Sequence, residues 1–360
     1  MHTPEDANGT ARGLDAYANW GLCLAGRFFL NNGLMPLMNS SFEPGACLKC
    51  VQALPGEVRV IGQAEYSYFT CQPLLACSQV EGLLGSDDIA LQLSANMISG
   101  FASLALGRIA AAQSRYLTIE RDVTLAMQAD SGDSARAAAM LIAKGSSTLL
   151  HLPERYPFDV LECLNHLDGG MRLFACYVLA HEAYLSGEYG RSLGIADTAA
   201  ALSDKTYPIP MIYLELIAAG DLMSLMRPAE ARARFMSAWD MASLDGLIEP
   251  FAEHHGLCQG LVEACLKHDH NEDYRCIVET THRFRSGWCH VHNLAADEDV
   301  ADNLTTTEFA VAMLASRGWP NKDIANHMGV TVRTVKQHLS DVYDKLGISH
   351  RSELGKFMLR

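Results

Sequence analysis

Residues 321–347, NKDIANHMGVTVRTVKQHLSDVYDKLG, decide the fold of the C-terminal part of this 360-residue chain. The first eight residues place apolar side chains three and four positions apart, which is the spacing of one helix face. Gly329 follows, and glycine is the residue that most readily ends a helix in a left-handed turn. We therefore expect a short helix over about 321–328. Its inward side chains are Ile324, Ala325 and Met328.

A longer helix is expected after that turn, from a cap at Thr331 to a stop at Gly347. One face carries apolar residues at i, i+4, i+7 and i+11, namely Val335, Leu339, Val342 and Leu346. The opposite face carries, near its N-terminal end, Arg333, Lys336, Gln337 and Ser340. Side chains of these types bind base edges in a DNA major groove and contact phosphates. The pattern predicts a recognition helix.

One more helix is predicted just upstream. Thr305 is a suitable N-cap, and Glu308 three positions later completes a capping box. Leu304 is placed to pack on Phe309, which would fix the entry of the chain into the helix. This helix should run to about Arg317, because a glycine follows it.

Together these residues resemble the LuxR-type (GerE-like) helix-turn-helix of bacterial transcription regulators. Four submotifs in order carry the resemblance: Leu304-Thr305 with Glu308, then NKDIA at 321–325, TVKQHL at 334–339, and KLGI at 345–348 with Arg351. It covers about residues 304–358. It implies four helices, of which the third enters the major groove. The fourth, over about 352–359, would help to form a dimer on DNA.

Position by position, the resemblance assigns three roles. It implies that bases are contacted by Lys336, Gln337 and Ser340. Phosphates would be contacted by Lys322, Arg333, Thr334 and Lys345. The dimer contact would involve Ser352, Leu354, Phe357 and Met358.

Two departures from the family pattern bear on these roles. Trp319-Pro320 precedes Asn321, where the family commonly has a small polar cap. Asp341 and Asp344 add negative charge to the third helix, which weakens nonspecific phosphate attraction. A degenerate or protein-contacting helix-turn-helix is the alternative interpretation.

Charge is distributed unevenly along the chain, whose formal net charge is -14. Residues 301–360 carry eight Lys and Arg against six Asp and Glu, a balance of +2, which leaves -16 for residues 1–300. Only the C-terminal part is therefore suited to nucleic acid.

Residues 60–292 show a repeated pattern. The segments CQPLLA, GRIAAA, GEYGRS and MRPAEA each end on a small residue, at positions 76, 112, 192 and 231. Residues able to pack follow four and seven positions later, and a weaker copy near 152 would fill the longest gap. A period of about 36–40 residues predicts stacked helical hairpins and loosely resembles tetratricopeptide repeats. An irregular all-helical domain is the alternative.

We expect an all-α chain with a helical-hairpin, tetratricopeptide-like solenoid followed by a four-helix LuxR-type domain. Its divisions are a flexible 1–10, a sensing or interaction body at 11–292, an acidic linker at 293–303 and a DNA-binding domain at 304–360. One segment, EVRVI at 57–61, alternates like a short strand. A lone strand, however, cannot form a sheet.

The groove of such a helical stack offers a site for a ligand or a protein. Tyr177, His181 and Tyr184 fall on one helix face and can line it, although burial in the core is their more common role. No P-loop is present, since AKGSST at 143–148 has its residues in the wrong order, and no receiver-like strand-helix alternation occurs.

Metal and redox chemistry have two candidates in the sequence. Seven histidines lie between 254 and 292: His254, His255, His268, His270, His282, His290 and His292. They form no H-E-x-x-H pair. Among the eleven cysteines only Cys47 and Cys50 form a close pair, without a second pair at zinc-ribbon spacing. We expect buried thiols, no metal, no cofactor and no enzymatic activity.

The sequence thus predicts a cytoplasmic, sequence-specific transcription regulator. It would bind double-stranded DNA as a homodimer and respond to an unidentified small-molecule or protein effector. No membrane span is expected, because the apolar segment at 18–38 is interrupted by Arg27, Asn31 and Asn32. The alternative is a helical-repeat scaffold that binds proteins and carries an incidental helix-turn-helix.

Overall fold

The computed structural model describes residues 34–128, 133–149, 159–292 and 304–358, and every regular element in these ranges is helical. The expected flexible N-terminus, the weak repeat copy near 152 and the acidic linker lie outside the described residues. None of the described helices is long and apolar enough to cross a membrane.

The body is formed by the helices up to residue 292. They are α1 Cys47–Ala53, α2 Gly56–Phe69, α3 Pro73–Val80, α4 Ile89–Ala105, α5 Ile109–Gln128, α6 Asp133–Leu149, α7 Val160–Cys163, α8 Gly169–Leu185, α9 Tyr189–Leu202, α10 Pro208–Ser224, α11 Pro228–Ser243, α12 Glu249–Glu253, α13 Leu261–Leu266 and α14 Asn271–His292. Short 3-10 helices follow α3 and α7, at Glu81–Leu83 and Leu164–His166.

Four helical hairpins, α2/α3, α4/α5, α8/α9 and α10/α11, share one turn geometry. Each turn contains a left-handed residue, namely Cys71, Gly107, Gly187 and Met226, with φ of 58°, 68°, 77° and 60°. The next N–H donates to the carbonyl five residues back over 2.8–2.9 Å, as in Gln72 to Ser67 and Arg227 to Leu222. This is a Schellman-type helix end. The same device therefore turns the chain in all four hairpins.

The small residues of the repeated pattern explain why these hairpins close tightly. Each lies five positions after the left-handed residue and is fully buried: Ala76, Ala112, Ser192 and Ala231. The packing positions four and seven residues later are also buried: Val80, Leu83, Tyr116, Ile119, Ala196, Ala199, Phe235 and Ala238. The predicted helical hairpins are confirmed. Their tetratricopeptide character stays a prediction.

The strand-like segment at 57–61 is helical, so that interpretation was wrong. It lies in the first turns of α2. Val58 and Ile61 are three positions apart and buried, and Tyr68 continues the same buried helix. Five alternating residues are too short to distinguish a strand from one turn of an amphipathic helix.

The C-terminal domain contains α15 Thr306–Ser316, α16 Asn321–Met328 and α17 Val332–Leu346. The predicted bounds of these helices are confirmed, as is the capping box of Thr305 and Glu308. Pro320 occupies the N-cap position of α16 and makes no side-chain cap bond.

The predicted fourth helix over 352–359 is a short 3-10 helix, Arg351–Lys356, within the described residues. Arg351 holds this segment, donating to the Ala315 carbonyl over 3.1 Å, to Asn321 Oδ1 over 2.7 Å and to the Trp319 carbonyl. A guanidinium fixed at the first residue and Gly355 near the end favour a short, tight helix over a longer α-helix.

Candidate nucleic-acid interface

The recognition helix α17 is held by its apolar side. Val335, Leu339, Val342 and Leu346 are all buried. The Thr334 amide donates to Thr331 Oγ1 over 3.1 Å, which caps the N-terminus, and Gly347 ends the helix with φ of 63°. Since both ends and one face are fixed, the opposite face is presented rigidly to solvent.

Arg333, Lys336, Gln337 and Ser340 form that opposite face, which we call the reading face, and all four are exposed. Gln337 Nε2 donates to Asp341 Oδ1 over 2.8 Å. A bond of this kind on a helix surface is worth a few tenths of a kcal/mol, so the amide is readily released to a base. The structure thus places the residues predicted to contact bases on one exposed helix face.

The predicted phosphate contacts fall into two groups. Lys322 is exposed near the start of α16, and Arg333 is exposed on α17. Lys345 is instead paired with Glu308, at 2.6 and 2.9 Å from its two carboxylate oxygens. The Thr334 hydroxyl lies 2.9 Å from Thr331 Oγ1. Lys345 and Thr334 therefore have structural partners that a phosphate would have to displace.

Glu308 joins α15 to α17. Burial alone would raise its pKa, but hydrogen bonds from Lys345 and Thr305 hold that pKa below its usual value. In the described part of the chain Glu308 also lies beside His338 and Asp341, with ligand-type atoms within 4.8 Å of one another. Two members of this group already have partners on the protein, since Glu308 accepts from Lys345 and Asp341 accepts from Gln337.

The predicted dimer residues are divided by burial. Leu354 and Met358 are buried in the protomer, at 0% and 5% exposure. Ser352 is exposed and Phe357 is half-buried. Only these last two have surface to offer a second protomer.

The domain also has a second polar surface, which packs against the body. Arg317, at the end of α15, donates to Ser224 Oγ over 2.7 Å and to Tyr189 Oη and Tyr184 Oη over 3.0 Å each. Its guanidinium carbon lies 5.3 and 5.8 Å from the centroids of the Tyr189 and Tyr184 rings. Hydrogen bonds to a charged group combined with cation–π contacts make a strong anchor.

A neighbouring contact involves α16 and the loop before α13. His327 Nε2 lies 3.3 Å from the Gln259 carbonyl oxygen. Gly260 has φ of 86°, and a methyl group added to it would lie 2.5 Å from Met328 Sδ. Only glycine fits both the backbone angle and the space. We call Arg317, His327 and Met328 the docking face.

Burial lowers the pKa of His327 to about 4, so its imidazole is neutral near pH 7. Its ring lies 5.5 Å from that of Trp319, which is buried. Beside this pair an open groove of about 850 Å³ separates the body from the domain. Its walls include Met226, Pro228 and Arg232 on one side and Asp323 on the other.

The docking face was missed by sequence reasoning. Its hydrogen bonds join residues 93 to 133 positions apart, and no local pattern marks them. The sequence placed Tyr184 on a helix face with two other residues, and it favoured burial in the core for all three. That prediction is confirmed. Tyr177, His181 and Tyr184 are all buried.

Two of the histidine candidates and the close cysteine pair have local explanations. His254 Nε2 lies 2.7 Å from Tyr177 Oη and its Nδ1 lies 2.8 Å from the Pro250 carbonyl oxygen. Burial lowers its pKa to about 4. His255 lies 2.9 Å from Glu263. Cys47 and Cys50 are both free thiols, and burial raises the pKa of Cys47 above its ordinary range.

Comparison with known proteins agrees with this geometry. The family described as bacterial regulatory proteins, luxR family, matches residues 302–358. An HTH-type transcriptional regulator of Mycobacterium bovis is 50% identical over 52 residues, 14% of this chain and 6% of that protein. The regulatory protein SgaR of Hyphomicrobium methylovorum is 39% identical over 56 residues, 16% of this chain and 26% of that protein.

A longer but weaker similarity reaches further along the chain. The HTH-type transcriptional regulator MalT of Yersinia pestis is 25% identical over 143 residues, 35% of this chain and 16% of that protein. The chain thus spans between 6% and 26% of the length of these relatives. No solved structure matches the chain. Residues 302–358 are a LuxR-family helix-turn-helix domain.

Proposed function

We propose that this protein is a sequence-specific DNA-binding transcription regulator that acts in the cytoplasm as a homodimer on DNA. The observation that carries the proposal is the reading face: four exposed polar side chains on a helix whose other face is buried. Lys336, Gln337 and Ser340 would contact bases, while Lys322 and Arg333 would contact phosphates. No catalytic residues are proposed.

The body would act as the input of this regulator. Its support is the docking face, since Arg317 connects the domain to three side chains on the body helices α8, α9 and α10. This contact lies away from the reading face, which stays exposed while the domain is docked. We infer that docking fixes the orientation of the domain on the body and leaves DNA binding possible. A change in the body would then alter the spacing of two domains in a dimer.

The proposal is tested by selection of DNA. Sheared genomic DNA from the source organism is captured by the purified protein and sequenced. A variant with Arg333→Ala, Lys336→Ala and Gln337→Ala is run beside it as a control. These three side chains are exposed, so the variant is expected to fold.

Enrichment of one shared, roughly two-fold symmetric site by the wild type alone supports a regulator and identifies its targets. Equal recovery by both proteins, with no shared site, contradicts the proposal. That outcome favours the alternative function, a helical-repeat scaffold for a protein partner.

A further inference from the structure

A small cavity lies within the body, between α2, α4, α6, α8, α10 and α12. About 30 Å³ of it admits the centre of a water molecule, so it holds a small group in this conformation. Ten of its twelve lining residues are buried. Glu253 and Leu149 keep partial exposure.

Two carboxyl groups line this cavity, and each is held as a hydrogen-bond acceptor. Glu65 accepts bonds from the Leu37 and Met38 amides over 2.7 and 3.0 Å. Glu253 accepts bonds from the hydroxyls of Tyr213, over 2.8 Å, and Tyr68. Each carboxyl oxygen receives one of these bonds. Two donors aimed at one carboxyl group are the arrangement that suits its ionised form.

The surroundings oppose that ionised form. Burial raises the pKa of Glu65 to about 8 and that of Glu253 to about 7. In the described part of the chain no Lys or Arg forms an ion pair with either carboxyl group. The hydrogen-bond donors around Glu65 and Glu253 thus favour ionised carboxylates, but among the described residues no positive side chain is present to balance their charge. A cation in the cavity would resolve this conflict.

The other walls of the cavity are suited to a cation that also carries carbon. Tyr68, Phe101, Phe174 and Tyr213 are among the lining residues. Tyr68 meets Phe101 at a centroid distance of 6.4 Å, and Phe174 meets Tyr213 at 6.3 Å, both edge to face. Aromatic rings attract organic ammonium groups and tolerate their alkyl parts, whereas a hydrated metal ion finds no such benefit.

We propose that this cavity is a binding site for a small alkylammonium ion, held between Glu65 and Glu253 and against the aromatic walls. A primary amine with a short carbon chain fits both the size and the donors required. That such an amine is the effector rests on the function proposed above; the binding site itself does not.

The position of the cavity connects it to the docking face. Glu253 ends α12, and six residues later Gln259 donates to Ser224 Oγ over 2.9 Å, beside Arg317. Gly260 then contacts α16. Movement of Glu253 toward a bound cation would therefore reach the docking contacts through one short segment, 253–260.

The test uses the full-length protein and two matched probes, ethylammonium and ethanol, which have the same number of heavy atoms. At about 100 mM, with ionic strength held constant by potassium chloride, ethylammonium should raise Tm by roughly 2 °C or more while ethanol does not. Calorimetric titration should give the same order of preference. Equal effects of both probes would overturn the proposal.

One variant and its matched control test where the ion binds. Glu253→Gln should weaken ethylammonium binding roughly tenfold or more, since the counter-charge is lost. Glu57→Gln is the matched control, because Glu57 is exposed on α2. Unchanged binding in the Glu253→Gln variant would overturn the proposal.

A further measurement requires no variant and covers the case in which Glu253→Gln fails to fold. Saturation transfer by NMR from wild-type protein should be seen for ethylammonium and should be absent for tetraethylammonium, which exceeds the cavity. Transfer to both ions, or to neither, would contradict the site. All of these readouts are made without DNA, so failure of the site is distinguishable from failure of the regulator function.

Discussion

The reading face and the docking face of the C-terminal domain use similar residue types in opposite circumstances. Arg333 on the reading face is exposed. Arg317 on the docking face donates hydrogen bonds to two tyrosines and a serine of the body. A guanidinium whose two terminal nitrogens already bond to the body offers less to a phosphate than an exposed one does. Charge alone therefore does not locate the DNA surface of this domain.

The largest expected effect is on the reading face. Replacing Lys336, Gln337 and Ser340 together by alanine should reduce affinity for the selected DNA roughly 100-fold or more, at about 1–3 kcal/mol per base contact. Tm should stay unchanged, because the three side chains are exposed. Fluorescence anisotropy measures the affinity.

Lys356→Ala is the control for that variant, since Lys356 is exposed outside the reading face. If the triple variant binds within threefold of the control, α17 is not the reading helix.

A substitution on the docking face should lower stability and leave DNA affinity nearly unchanged. Arg317→Met removes three hydrogen bonds to a charged group and should destabilise the docked arrangement by about 1–3 kcal/mol. DNA affinity of the reading face should change by less than about threefold. Hydrogen exchange at 184–189 and Tm report the first effect, and anisotropy reports the second.

Arg333→Met is the matched substitution on the reading face. It should lower DNA affinity and leave both Tm and hydrogen exchange at 184–189 unchanged. A large loss of DNA affinity in Arg317→Met, with unchanged exchange at 184–189, would remove the distinction between the faces.

Acid should loosen the docking face. His327 titrates at about 4 in the folded protein, below the value near 6.5 of an unfolded histidine. The folded state therefore binds fewer protons between these values. The stability that His327 contributes is present above pH 6.5 and is lost as pH falls toward 4. The protection factors of the amides at 258–260, which correct for slower intrinsic exchange in acid, should fall between pH 7 and pH 5.

His327→Gln should reduce that loss of protection, and His350→Gln, an exposed position, should leave it intact. An equal pH response in both variants would show that another group controls the contact.

The smallest expected effects distinguish two lysines. Lys322→Ala should lower the salt slope of DNA binding by about 1, as expected for one lost phosphate contact. Lys345→Ala should leave that slope unchanged and lower stability by about 1 kcal/mol or less, because Lys345 is partly exposed and pairs with Glu308. If Lys345→Ala changes the salt slope as Lys322→Ala does, the ion pair yields to DNA and the original assignment holds.

Local signals explain what the sequence could predict. The caps at Thr305 and Thr331 and the glycine stops at 329 and 347 act within one or two turns, and the structure has all of them. The buried small residues of the hairpins were likewise visible, because each follows its turn at a fixed distance. Signals of this kind need no knowledge of distant parts of the chain.

Distant contacts explain what the sequence could not predict. The family resemblance assigned Lys345 to phosphate, and no local pattern could indicate its ion pair with Glu308, which lies 37 positions away. Leu354 and Met358 were assigned to a dimer, but the short 3-10 helix and the residues that follow it place both side chains in the protomer core. The docking face and the cavity between Glu65 and Glu253 depend on the packing of many helices, which no spacing rule specifies.

The most direct test of the account is hydrogen exchange of the intact protein with and without the DNA that it selects. Exchange over 332–346 should slow when DNA is bound, and exchange at 184–189 and 258–260 should stay unchanged, because the domain binds DNA while it is docked. Unchanged exchange over 332–346, or faster exchange at 184–189 and 258–260 on DNA binding, would contradict it.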